Sequence, residues 1–230
     1  MRANNSASSH LLACAGVLLD MDGVLIDSVK NIEICLREWA ADRDLDPDQV
    51  VAESRGRRDV ELVQRVAPHL NPKLEARELE AREARNIAGV RPINGARELL
   101  KSIPAGQWAV VTSASGTAAR ARLAAAGIAQ PIVLVTCDDV AAGKPEPECY
   151  LTAARQLGVS PQHCIVFEDA PSGTIAGMAA GVGAVIGVAG TVSTNELIDA
   201  GVFCVIPDLT FVRAVKTAGC GLELVISRTA

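Results

Sequence analysis

Short apolar runs alternate with longer amphipathic stretches along most of the chain. Val17-Leu18-Leu19 is long enough for a buried strand and stops on Asp20-Met21-Asp22-Gly23. Asp27-Ser28 then stands where a helix cap belongs, and the pattern predicts helix over 29–40. From 44 to 87 the texture stays helical, punctuated by Pro47, Pro68 and Pro72. Residues 73–86 are so rich in Glu, Arg and Ala that they predict a largely solvent-exposed helix. Nothing between Asp27 and Ala88 predicts a strand. After Val90 the rhythm changes to strands over 108–112, 132–135, 164–167, 184–187 and 203–206. Helices are expected between them, two of them closing on Gly127 and Gly158. This alternation predicts an α/β fold, a doubly wound parallel sheet with helices on both faces and a small all-helical unit inserted after the first strand. The last 20 residues predict only peripheral helix or strand.

Composition narrows the function classes. With 49% apolar and 21% charged residues the chain is globular, and a net charge of −5 argues against a grip on nucleic acid. Aromatics are scarce at 3%, as expected where small residues pack helices on a parallel sheet. No apolar run approaches the roughly 20 residues that span a bilayer. Seven scattered cysteines without a Cys-x-x-Cys pair suit buried thiols in a reducing cytoplasm better than disulfides or zinc. Three histidines far apart in sequence give no metal site or serine-histidine triad. The N-terminal residues 1–15 are expected to be a disordered extension.

In such a sheet, ligands bind beyond the C-terminal ends of the strands, so the residues that end each strand carry the chemistry. The first ends in Asp20 and Asp22, a pair suited to hold a hard cation or to divide nucleophilic from acid-base duties. The second ends in Thr112-Ser113-Ala114-Ser115, hydroxyls and small residues before a helix N-terminus that can hold phosphate. The third leads through Asp138-Asp139 to Gly143-Lys144-Pro145, and the fourth ends in Glu168-Asp169. Each piece alone has a plainer reading as a turn, a cap or a surface loop. Their coincidence on successive strand ends favours one joint site. Its converging carboxylates would repel one another unless a divalent cation, Mg²⁺ by its oxygen ligands, offset them.

Asp20-Met21-Asp22-Gly23-Val24, Val111-Thr112-Ser113, Gly143-Lys144-Pro145 and Phe167-Glu168-Asp169-Ala170 resemble, in order and spacing, the four motifs of the haloacid dehalogenase-like hydrolase superfamily. The helical insertion resembles the small cap of its beta-phosphoglucomutase-like members. The resemblance implies a core of residues 16–26 and 89–230 and a helical cap at 27–88. It implies that Asp20 attacks phosphorus, forms an aspartyl-phosphate and ligates Mg²⁺. Asp22 would protonate the leaving alcohol and then activate water, with its backbone carbonyl on the metal. Ser113 and Lys144 would hold the phosphoryl oxygens, joined by amides near Met21, Asp22 and Ala114. Glu168 and Asp169 would complete the metal site.

Beta-phosphoglucomutases carry a histidine ten residues after the second motif-one aspartate; here that position is Ile32, which favours hydrolysis. The stretch Arg55-Gly56-Arg57-Arg58 resembles the substrate loop of sugar-phosphate and glycerol-phosphate phosphatases, with Arg55 in place of their histidine. Arg55, Gly56, Arg58 and Ala114 are therefore the expected substrate contacts. The expectation is hydrolysis of a small sugar or polyol phosphate by a cytoplasmic monomer or homodimer, with no nucleic-acid or membrane partner. A phosphosugar mutase is the alternative. A phospho-accepting receiver module is the remote one, since receivers are about half this length and lack both the insertion and the paired aspartates. Gly181-Val182-Gly183 lies outside the first strand-helix turn, so it is no dinucleotide fingerprint.

Overall fold

The computed structural model describes residues 9–217 and 221–227. Residues 1–8 of the expected extension, and Cys220, lie outside the described residues. Strand β1 (Ser9–Cys14) precedes β2 (Gly16–Leu19) and the two-residue β3 (Ile26–Asp27). Four helices come next: α1 (Val29–Ala41), α2 (Pro47–Ser54), α3 (Asp59–Val66) and α4 (Pro72–Arg85). The chain returns through β4 (Arg91–Pro92) and α5 (Ala96–Ser102), then alternates as β5 (Trp108–Val111), α6 (Gly116–Ala125), β6 (Val133–Val135), α7 (Glu148–Leu157) and β7 (Cys164–Glu168). It ends through α8 (Pro171–Ala179), β8 (Ala184–Val188), α9 (Thr194–Ala200), β9 (Cys204–Ile206), β10 (Val212–Lys216) and β11 (Leu222–Ser227).

Six strands form one parallel sheet in the order β6-β5-β2-β7-β8-β9. Both faces are covered, and alternate residues of β2 divide between them. Val17 and Leu19 enter a core with Trp108, Phe167 and Ile186, whereas Leu18 packs on the other side with Tyr150 and Val166. The chain fills the sheet on one side of β2 and then crosses to the other. The crevice above β2 is therefore the switch point where α/β sheets bind ligands.

One expectation at the chain ends needs correction. Residues 9–14, expected to be disordered, form β1, which pairs antiparallel with β11 from Ser9↔Ser227 to Cys14↔Leu222. β10 completes this three-stranded sheet, so the last described stretch is strand. Along β11, Leu222, Leu224 and Ile226 are buried while the residues between are not, the period-2 pattern of a sheet packed on one face.

The four helices after β3 surround a separate apolar cluster of Leu36, Trp39, Val50, Leu62, Val63 and Leu79. The Trp39 indole donates to Glu75 at 2.9 Å. The two connecting segments meet as β3 and β4, with Asp27 and Arg91 paired at 2.8 Å. Helix α4 is not the exposed helix its composition suggests: Ala76, Leu79 and Glu83 are buried, and its far end packs on α6. No helix among the described residues is long and apolar enough to cross a membrane.

Candidate active site

The Asp20 amide still bonds to the Phe167 carbonyl at 3.0 Å, so the carboxylate leaves the sheet beside the end of β7. There Asp20, Glu168 and Asp169 lie buried together, with one oxygen from each within 4.8 Å of the others. Lys144 reaches in from the loop after β6. Its ammonium donates to Asp20 Oδ1 at 2.5 Å and to Glu168 Oε1 at 2.6 Å. Glu168 is the hub of this arrangement. Oε1 also accepts from the Tyr150 hydroxyl at 2.5 Å, and Oε2 from the amides of Asp169 and Ala170 at 3.1 and 3.3 Å.

Burial governs the protonation equilibria here. It pushes the Asp20 carboxyl well above its usual range, against the pull of the neighbouring Lys144. Burial opposes the charge on Lys144, but Asp20 and Glu168 more than offset it, so the ammonium is held well above its ordinary pKa. Asp169 is pushed up to about 7 by burial and by Glu168, despite a hydrogen bond from Thr191. A cation would relieve that crowding. The donor set is all oxygen, as a hard divalent ion requires. Gly23 makes room for the Asp169 carboxylate: with φ at +85°, it passes where a Cβ would overlap Asp169 Oδ2. The residues present fit a metal, with Asp20, Glu168 and Asp169 as the side-chain ligands. The Asp22 side chain is not among them.

Asp22 faces the other way. Its Oδ1 accepts from the Ser28 hydroxyl, and its Oδ2 from Arg122 Nη1 at 2.8 Å. Ser28 occupies the N-cap position of α1, but its side chain bonds Asp22 instead of capping the helix. Ser113, beyond β5, donates through Oγ to the Gly56 carbonyl at 3.1 Å, which brings the loop between α2 and α3 directly over the strand ends. Ser115 accepts from the Ala118 amide and starts α6. The Ala114 amide donates to Thr112 Oγ1 at 3.1 Å.

These residues line one cavity between the sheet and the four-helix unit. Its floor is Asp20, Asp22, Ser113, Ala114, Lys144, Glu168 and Asp169; Arg55, Gly56 and Arg57 form the roof; Ile32, Leu36 and Val51 give an apolar wall. Of the expected contacts, Arg58 is the exception. Its guanidinium bonds Glu61 at 2.9 Å and the Val140 carbonyl at 3.2 Å, so it clasps the loop that carries Lys144 and stays outside the cavity. Arg57 takes its place. Sequence reasoning missed Ser28, Glu83, Arg122, Tyr150 and Thr191. Arg122 had a signal, since it lies on the same helical stripe as the buried Ala118, Ala119 and Leu123.

Residues 14–181 match the family model of haloacid dehalogenase-like hydrolases. The chain belongs to this family. Hexitol phosphatase A of Escherichia coli is 39% identical over 193 residues, covering 81% of this chain and 89% of that one. Glycerol-1-phosphate phosphohydrolase 2 of Saccharomyces cerevisiae is 34% identical over 197 residues, covering 80% and 78%. The crystal structure of beta-phosphoglucomutase from Clostridium difficile superposes with a TM-score of 0.74 at 21% identity, covering 85% of this chain and 92% of that one. That likeness is of fold alone. The hydrolase fold expected from the motifs is the one found, and two relatives spanning about four fifths of the chain are phosphatases.

Proposed function

We propose that the chain is a Mg²⁺-dependent phosphomonoesterase that hydrolyses a small sugar phosphate or polyol phosphate through a phosphoryl group carried on Asp20. The observation that carries this reading is the pairing of Lys144 with both Asp20 and Glu168 at the switch point, under the roof of Arg55, Gly56 and Arg57.

An Asp20 oxygen attacks phosphorus in line with the ester oxygen, and the P–O ester bond breaks as the Asp20–phosphorus bond forms. Asp22 gives its proton to the departing alcohol. Asp22 then takes a proton from water, whose oxygen attacks phosphorus and returns Asp20 as a carboxylate. Dividing the displacement in two makes each step easier. Lys144 and the Ser113 hydroxyl stabilise charge on the phosphoryl oxygens, and Ser113 exchanges its bond to Gly56 for one to substrate. Mg²⁺, held by Asp20 and Asp169 with Glu168 beside them and the Asp22 backbone carbonyl, would supply further neutralisation of the phosphoryl charge.

The four-helix unit serves as the cap. Arg55, Arg57, Glu33 and Asp59 offer donors and acceptors to hydroxyls on the leaving group, while Ile32 and Leu36 pack its carbon chain. Ile32 on the cavity wall favours hydrolysis over mutase chemistry, since it handles no protons and holds no sugar hydroxyl for rephosphorylation. The names of the two relatives support a polyol or sugar ester. A reducing cytoplasm suits the buried thiols of Cys14, Cys35, Cys149 and Cys164.

Phosphate release from a panel of sugar, polyol and nucleotide monophosphates, with Mg²⁺ and with EDTA, tests the proposal beside Asp20→Asn. Mg²⁺-dependent release from a polyol or sugar ester, abolished in the variant, is the expected result. Conversion of a hexose 1-phosphate to its 6-phosphate without free phosphate would establish the mutase instead. Phosphate uptake from acyl phosphates without turnover would establish the receiver.

A further inference from the structure

Arg122 is a charged side chain sealed in the interior, 2% exposed, at the junction of α6 with α4. It makes two ion pairs in opposite directions. Nη1 donates to Asp22 Oδ2 at 2.8 Å, and Nη2 to Glu83 Oε2 at 2.6 Å. Glu83, also buried, belongs to α4 of the cap, and the guanidinium also feels Asp59 of α3. One planar fork thus ties the acid-base aspartate of the core to cap helix α4, with the Asp59 charge of α3 acting on it. The other oxygen of Asp22 is taken by Ser28, where the chain enters the cap. Both side chains that hold Asp22 therefore sit where cap and core meet.

A buried ion pair is seldom worth its desolvation for stability alone, so this concentration of charge at the junction asks for another role. We infer that Arg122 is the positioning residue that anchors Asp22 Oδ2 and, through Glu83, makes the aim of Asp22 depend on the cap being seated. Oδ1, shared with the exchangeable Ser28 hydroxyl, is then the oxygen that passes the proton to and from the leaving group. When α4 lifts, Glu83 withdraws, the guanidinium loses half its anchorage, and Asp22 loses its fixed direction. Proton transfer becomes available only over a closed cavity, where water cannot compete for the phosphoryl group before the alcohol has left. The inference rests on the phosphatase reading.

The test exploits the leaving group. An alkyl phosphate needs a proton on its departing oxygen, whereas p-nitrophenolate leaves without one. Arg122→Gln is compared with wild type on a hexitol phosphate in steady state, and on p-nitrophenyl phosphate with enzyme in excess, so that p-nitrophenol reports the first step alone. If Arg122 aims Asp22, hexitol phosphate turnover falls about 100-fold while single-turnover p-nitrophenol release stays within about threefold, the range expected for loss of general acid catalysis. Glu83→Gln lowers hexitol phosphate turnover in the wild-type background and adds nothing to Arg122→Gln. Should Arg122→Gln fail to fold, Arg122→Gln/Glu83→Gln leaves two neutral amides able to bond each other and is held to the same split between substrates. Equal losses on both esters, or no loss on the hexitol phosphate, overturn the inference. An effect of Glu83→Gln that is the same in both backgrounds overturns the link to the cap. A wild-type protein that turns over neither ester defeats the phosphatase reading itself, and this inference with it.

Discussion

Gly56→Ala isolates the seating of the cap loop on the strand ends. Gly56 has φ at +69°, a region that costs a residue with a Cβ roughly 1–2 kcal/mol. A Cβ built there would also overlap Ser172 Oγ at the start of α8, while Ala170 Cβ and Ser172 Cβ stand at an ordinary 3.4 Å. The backbone strain alone, at about 1.4 kcal/mol per tenfold, predicts a loss of about tenfold in kcat/KM. The overlap with Ser172, at about 1–2 kcal/mol for an overpacked contact, adds to it because the hydroxyl must turn aside or the loop shift away from α8, and brings the loss to about 100-fold. The two contributions separate cleanly. Ser172 Oγ is buried without a hydrogen-bond partner, so Ser172→Ala by itself should be silent. In Gly56→Ala/Ser172→Ala the overlap is gone and only the strain remains, so the loss returns to about tenfold. The assay is phosphate release at substrate concentrations below KM, with thermal melting to confirm that each variant is folded. Wild-type kcat/KM in Gly56→Ala, or no recovery in the double variant, would refute the seating of this loop over the strand ends and against Ser172.

Two further outcomes concern the buried carboxylates. The folded-state pKa of Asp169 is raised to about 7 by burial and Glu168, so between about 4 and 7 the folded chain binds more protons there than the unfolded chain. Wild-type stability from this group therefore falls as pH rises across that window. In metal-free protein the melting temperature of Asp169→Asn should gain on wild type from pH 4 to 7 and level off above, and saturating Mg²⁺ should cancel the gain; a difference independent of pH would refute it. Tyr150→Phe removes a donor from the buried Glu168 carboxylate, and a hydrogen bond to a charged group is worth about 1.5–3 kcal/mol. At about 2–4 °C per kcal/mol in a chain of this size, the melting temperature should fall by about 3–12 °C. An unchanged value would mean that Tyr150 is not bonded to Glu168.

Much of the site was legible because its residues terminate short apolar runs. Val17 to Leu19 can only be a buried strand, and the residues at the C-terminal end of such a strand stand at the mouth of the sheet. The same logic at the other strand ends brings Asp20, Ser113, Lys144, Glu168 and Asp169 together from sequence alone. Asp22 was placed at the site, but its partners were not, because they are charges in interior positions. Glu83 lies on the stripe of Ala76 and Leu79, and Arg122 on that of Ala118 and Leu123. Read singly, each resembles a solvated residue on a charged helix. Only the packing of α4 against α6 pairs them. Arg58 failed for a related reason: its neighbour Glu61, three residues on, captures it before it can reach the cavity. Strand β1 was missed because its pairing partner lies more than 200 residues away, at Leu222 to Ser227. Neither strand is stable alone, and neither sequence names the other.

The central claim is that the phosphoryl group rests on Asp20 between two displacements. The stereochemical course at phosphorus tests it most directly, with a thiophosphate ester made chiral by sulfur and two oxygen isotopes and cleaved in water carrying the third. Each in-line displacement inverts the centre, so transfer to Asp20 and then to water predicts net retention of configuration. Net inversion would mean that water attacks the ester directly, and Asp20 could not then be the nucleophile.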